Sequence, residues 1–238
     1  MKDQTRWQLW LMVAANAMLL YGIIQANAIR LWGLGGAVTD AQNLLPVGVA
    51  LVVTTVLNGL LSAEMKARLV FLRWNHALPG HRAFSEYAVR DPRVDISLLA
   101  NRRGTQPPTD PMEQNRSWYR LYKAVENDPA IRQVHRDYLL LRDYAGLSVV
   151  FIVCCGLAGA YAISSRATAF AYFILLTVQF GLVRHAAANY GIRFVTTVLA
   201  RGATREKSRA PKDKRADTRR RPVKSPTIQP PVDFERGS

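Results

Sequence analysis

Four apolar runs of roughly twenty residues constrain this chain more than anything else in its sequence. They are WQLWLMVAANAMLLYGIIQANA (residues 7–28), LLPVGVALVVTTVLNGLLSA (44–63), YAGLSVVFIVCCGLAGAYAI (144–163) and ATAFAYFILLTVQFGLV (167–183). A helix rises about 1.5 Å per residue, so each run reaches across, or nearly across, the ~30 Å hydrocarbon layer of a bilayer. The mean hydropathy of −0.03 conceals them, because strongly basic segments lie between and after the runs. No strand-like alternation of useful length appears. The expected fold class is therefore all-α: a polytopic membrane protein with four transmembrane helices and a helical cytoplasmic insertion between helices 2 and 3.

Charge placement orients the spans. Of the 32 Lys and Arg, two precede the first run (Lys2, Arg6), one lies between the first and second (Arg30), and one between the third and fourth (Arg166). Fourteen fall between the second and third runs, and fourteen follow the fourth. Short basic segments stay on the cytoplasmic side, which places both termini and the insertion there. Lys66, Arg68 and Arg73 beside span two, and Arg132, Arg136 and Arg142 before span three, agree. A bacterial inner membrane is the expected location. For the first run a secretory signal is the rival, with Lys2 and Arg6 as its basic end and Ala26–Ala28 as an A-x-A cleavage site. Its length and the interruption by Asn16 favour a retained span.

The chain then divides into a transmembrane hairpin (1–63), the cytoplasmic insertion (64–143), a second hairpin with a juxtamembrane helix (144–202) and a disordered basic tail (203–238). In the insertion, Asp91-Pro92, Asp110-Pro111 and Asp128-Pro129 each read as a helix start. Aspartate caps the free amides of a first turn, and proline suits the next position. Glu113 completes a capping-box spacing with Asp110. Trp118, Leu121, Tyr122 and Val125 form one apolar stripe, and Ile131, Val134, Tyr138 and Leu141 form another that runs into span three. Leu61, Met65, Leu69 and Leu72 predict that span two leaves the membrane as one continued helix. A short helix over 92–101, with Leu98 and Leu99 inward, is also expected.

The stretch FLRWNHALPGHRAF (residues 71–84) interrupts this pattern with two histidines, a tryptophan and a Pro-Gly turn. It reads first as an elbow. The helix ends near His76, Pro79-Gly80 reverses the chain, and Trp74 plugs the bundle core with Phe84, Trp118 and Tyr122. A metal or catalytic reading would take His76 and His81 with Glu86, Asp91 and Asp95. The spacing matches no motif with a mechanism behind it, such as H-E-x-x-H. His135, beside Arg132 and Arg136, reads as the solvated face of its helix. Phosphate-cradling glycine loops, nucleophile elbows and dinucleotide fingerprints are missing from the sequence, so neither an enzyme nor a cofactor is expected.

Inside the spans the polar residues are uncharged. Asn16, Asn58 and Gln179 either bond between helices or line a narrow aqueous pore. The vicinal Cys154 and Cys155 form no C-x-x-C pair and read as small interface residues. Cys155 with Gly159, and Ala158 with Ala162, have the small-xxx-small spacing of close helix contacts. Residues 184–202 are read either as a helical extension packed on the bundle or as an amphipathic helix along the inner leaflet. In the tail, Arg219, Arg220 and Arg221 head a polybasic cluster suited to anionic lipid headgroups. No base-reading or stacking groups accompany them, so nucleic acid is not an expected partner.

The expected function is membrane anchoring and interaction, with the insertion docking a protein partner or a second copy of the chain. The alternative is a gated pore or membrane-disrupting effector of the defence or toxin kind, controlled by the insertion. A membrane-surface metal enzyme resting on His76 and His81 is the remaining reading.

Overall fold

The computed structural model describes residues 3–26, 44–97 and 107–220, all of them in helices, turns and loops with no strand among them. Six principal helices follow one another: α1 (Asp3–Ile24), α2 (Leu44–Leu60), α3 (Ala63–Phe71), α4 (Pro111–Val125), α5 (Pro129–Ala162) and α6 (Arg166–Arg220). Between α3 and α4 the chain makes a 3₁₀ turn over Pro79–Arg82, a π-helical turn over Ala83–Tyr87 and one α turn over Ala88–Arg90.

Three helices are long and apolar enough to cross a membrane: α1, α5, and α6 between Arg166 and Arg205. They pack through Val13, Ala17 and Leu20 of α1, Leu147, Phe151 and Cys155 of α5, and Tyr172 and Leu176 of α6. Their outward faces carry Trp10, Met18, Leu157, Phe170 and Leu182, all exposed. A contiguous exposed apolar band of this kind matches a lipid surface. The second predicted run coincides with α2, 17 residues long, or about 25 Å of helix.

A second, aromatic core forms around the N-terminal part of α5 and residues 194–199 of α6. It joins Phe84, Tyr87 and Val94 of the elbow region, Trp118 and Val125 of α4, Ile131, Val134 and Tyr138 of α5, and Phe194, Val195, Val198 and Leu199 of α6. Two of the three Asp-Pro pairs start helices as expected. Asp110 accepts from Glu113 N at 3.0 Å, and Asp128 accepts from Ala130 N at 2.8 Å. The extension of α6 packs into the bundle core, which selects the packed extension over an amphipathic helix lying along the leaflet.

Three expectations are corrected. Span two does not continue as one helix, because Ser62 breaks it with extended backbone and caps α3 by accepting from Met65 N at 3.2 Å. Its small size hides that stop inside an apolar run. The elbow helix ends at Phe71 rather than near His76, since Leu72 adopts left-handed backbone at φ 50°. Asp91-Pro92 starts no helix: Asp91 spends its carboxylate on Arg93, accepting from the Arg93 amide and side chain at 2.7–3.0 Å. Helix begins only at Ile96, and Leu98 and Leu99 lie outside the described residues. The backbone of α6 runs as helix to Arg220, and residues 221–238 of the predicted tail lie outside the described residues.

Candidate functional site

The elbow is the most distinctive local construction in the protein. After Phe71 the chain turns through two residues with positive φ, Leu72 at 50° and His76 at 51°. Such backbone costs a non-glycine residue of order 1 kcal/mol and persists where the surroundings over-determine it. Pro79 and Gly80 are buried against α4. A methyl group on Gly80 would stand 2.9 Å from Trp118 Cε3 and would also overlap Asn115 Oδ1, so only glycine allows this approach.

Gln114 then clamps the returning chain. Its Oε1 accepts from Phe84 N, Ser85 N and Ser85 Oγ, each at 3.1 Å, while its Nε2 donates to Thr109 O at 2.9 Å. One fully buried amide thus satisfies the amides that the π-helical turn leaves open. The sequence reading missed it. The available signal was a polar residue four positions before Trp118, on the apolar face of α4.

Trp74 is corrected outright. Expected in the core, it is 79% exposed. Because α3 ends three residues before it, no helix face carries the indole inward, and Phe71 takes the core position instead, against Tyr138 and Gly191. Leu72 is exposed beside it. The other expected core residues, Phe84, Trp118 and Tyr122, do gather. Trp118 stacks on Tyr122 with centroids 5.9 Å apart and meets the edge of Phe194 at 5.2 Å.

His135 is also corrected. It is half-buried: its ring stacks on Phe194 at 4.6 Å and its Nδ1 lies 3.2 Å from the Tyr122 hydroxyl. Phe194 is the hub on which Trp118, Tyr122, His135 and Tyr138 converge.

The structure brings His76 and His81 together, edge to face with centroids 5.1 Å apart. Burial, and then the neighbouring His76, hold His81 below the ordinary histidine value. The carboxylates considered with them turn elsewhere. Glu86 pairs with Arg82 at 3.5 Å and Arg90 at 3.3 Å, Asp91 with Arg93, and Asp95 accepts from Ser97. Among the described residues no three His, Cys, Asp or Glu side chains group as a metal site.

The intramembrane polar residues go to different places. Gln179 Nε2 donates to the Tyr144 hydroxyl at 2.6 Å, tying α6 to α5. Asn16 donates to Met12 O of its own helix at 2.9 Å, while its Oδ1, Asn58 Oδ1 and Thr54 Oγ1 are buried without a hydrogen-bond partner. Arg219 and Arg220 fall at the end of α6 and Arg221 lies outside the described residues.

Comparison with protein-family models, curated proteins and solved structures finds no match to this chain. The functional reading rests on geometry and sequence.

Proposed function

We propose that the protein is a multi-pass anchor of the bacterial inner membrane, with four spans and both termini in the cytoplasm. Its aromatic bundle serves as a docking module for a protein partner or a second copy of the chain. The observation that carries this reading is the exposed Trp74–Leu72 pair, held at the tip of an elbow whose base is locked by Gln114 and Gly80. A large, exposed indole offers much contact area for few rotatable bonds, which is why such residues serve as interface anchors. The basic tail, including Arg219–Arg221, adds contact with anionic lipid in this reading.

The test is the native size of the detergent-extracted full chain against its 26.6 kDa monomer. The docking reading expects a larger species that Trp74→Ala returns to monomer size. A wild-type monomer bound to nothing contradicts it.

A second reading, the gated pore, draws on the three partnerless oxygens of Asn16, Thr54 and Asn58. Buried polar atoms at such depth call for water or one another. Membrane depolarisation on induced expression, abolished by Asn16→Leu with Asn58→Leu, would support it; an unchanged potential would contradict it.

A further inference from the structure

At the level where the spans meet the bundle, two cations share one carboxylate and a third stands level with them. Helices α3, α5 and α6 pack there through Val70, Ala145 and Ala187. Lys66 lies against Gly146 of α5 and reaches Asp143 at 3.4 Å. Arg142 takes the same carboxylate at 2.9 Å. Arg184 stands at this level on α6: Tyr138 faces Gly191 and Gly159 faces Tyr172, and this antiparallel register sets Arg184 opposite Gly146.

Lys66 and Arg142 are mostly withdrawn from solvent, and Arg184 is half-buried. The side chains of Lys66 and Arg142 are only 11% and 16% exposed, and Arg184 Nε is buried with no hydrogen-bond partner. Glu64, the next carboxylate along α3, is committed to Arg68 at 2.8 Å. A buried excess of positive charge is costly unless an anion completes it. The surface immediately on the span side is apolar, with Leu60 at 72% and Leu182 at 69% exposure. The position therefore asks for a ligand with an anionic head and hydrocarbon tails.

We propose that Lys66, Arg142 and Arg184 form an interhelical pocket for the phosphate headgroup of an anionic phospholipid. Basic pockets between membrane helices bind such headgroups by charge-assisted hydrogen bonds, and arginine offers a planar fork to phosphate oxygens. The proposal rests on the membrane reading and is independent of docking at Trp74. The lipid would bridge α3, α5 and α6 where the break at Ser62 leaves span two unconnected to α3 by continuous helix.

The test is thermal unfolding of the full chain in neutral detergent, with phosphatidylglycerol, phosphatidylcholine or inorganic phosphate added. The pocket predicts a rise of about 4 °C or more with phosphatidylglycerol alone. Arg184→Gln should remove at least half of that rise, and Arg184→Lys should keep more of it than Arg184→Gln does. Asp143→Asn frees two cations and should enlarge it. Replacing Arg219, Arg220 and Arg221 together by Gln, which removes only the tail's own lipid contact, should keep more than half of it.

An equal response to phosphatidylcholine, an undiminished response in Arg184→Gln, or loss of the response in the tail variant overturns the pocket. A matching response to inorganic phosphate overturns the lipid source. If Arg184→Gln does not fold, the comparison of Asp143→Asn with wild type decides: an unchanged response contradicts the proposal. Recovery of the chain outside the membrane fraction would instead remove the membrane reading itself.

Discussion

Gln114 accepts three hydrogen bonds from the elbow and returns one to Thr109 O. Replacing it with methionine keeps the volume and strands those donors, at about 1–3 kcal/mol for each left unsatisfied. Gln114→Met should therefore lower stability by about 2 kcal/mol or more in denaturant titration. The two tryptophans of the elbow region give a sharper contrast. Trp118→Ala should cost about 3–5 kcal/mol because it empties the aromatic core, whereas Trp74→Ala should stay within about 0.5 kcal/mol, as for an exposed side chain. Equal losses would return Trp74 to the core position that the sequence suggested.

His81 links the elbow to pH. Its folded-state pKa lies below the ordinary histidine value of 6.5 because burial and His76 disfavour the cation. The unfolded chain then binds the extra proton, so this contribution is complete above about pH 6.5 and is lost as pH falls toward the folded value. Thermal unfolding should show a midpoint that drops between pH 7.5 and 5.5, and His81→Asn should flatten that slope. An identical slope in the variant would show that His81 does not carry it.

At the scale of elements, much was legible. Asp110 and Asp128 announce α4 and α5 because a capping carboxylate followed by proline is a local device. The stripe through Trp118, Tyr122 and Val125 likewise reports the buried face of α4. What failed depended on single backbone choices or on distant partners. Asp91 carries the same Asp-Pro signature as the other two, yet Arg93 takes its carboxylate and then reaches Thr196 of α6 at 3.2 Å. Ser62 stops a helix inside an apolar run, and Leu72 ends α3 with a left-handed turn that no local residue advertises. Gly191 shows the same dependence on tertiary approach. A methyl group there would stand 2.8 Å from Phe71 Cζ and 2.9 Å from Tyr138 Cε2, so Gly191→Ala should cost about 1–3 kcal/mol by overpacking. Thermal unfolding of that variant checks whether α6 seats on α3 and α5 this closely.

At the scale of the whole molecule, α5 and α6 are the continuous pieces. Each passes unbroken from the apolar layer into the aromatic bundle, and Gln179 to Tyr144 below with Asp128 to Arg201 above, at 3.3 Å, tie them along their shared length. The sequence predicted such continuity for spans two and three. Among the described residues the continuous helices are α5 and α6, because Ser62 interrupts the path through span two. Of the candidate site, the turn and its aromatic supports were readable, while the exposure of Trp74 was not: it follows from where α3 stops. The exposed indole of Trp74, on the turn that follows α3, is the basis of the docking account.

The most direct measurement is photo-crosslinking from a benzophenone side chain placed at Trp74 in the full chain, in intact membranes, with the same probe at Met18 as a control. The account predicts one discrete protein adduct from position 74, of dimer size or of one partner's size, and lipid adducts alone from position 18. Lipid adducts alone from position 74, or no adduct there, would contradict docking at the elbow.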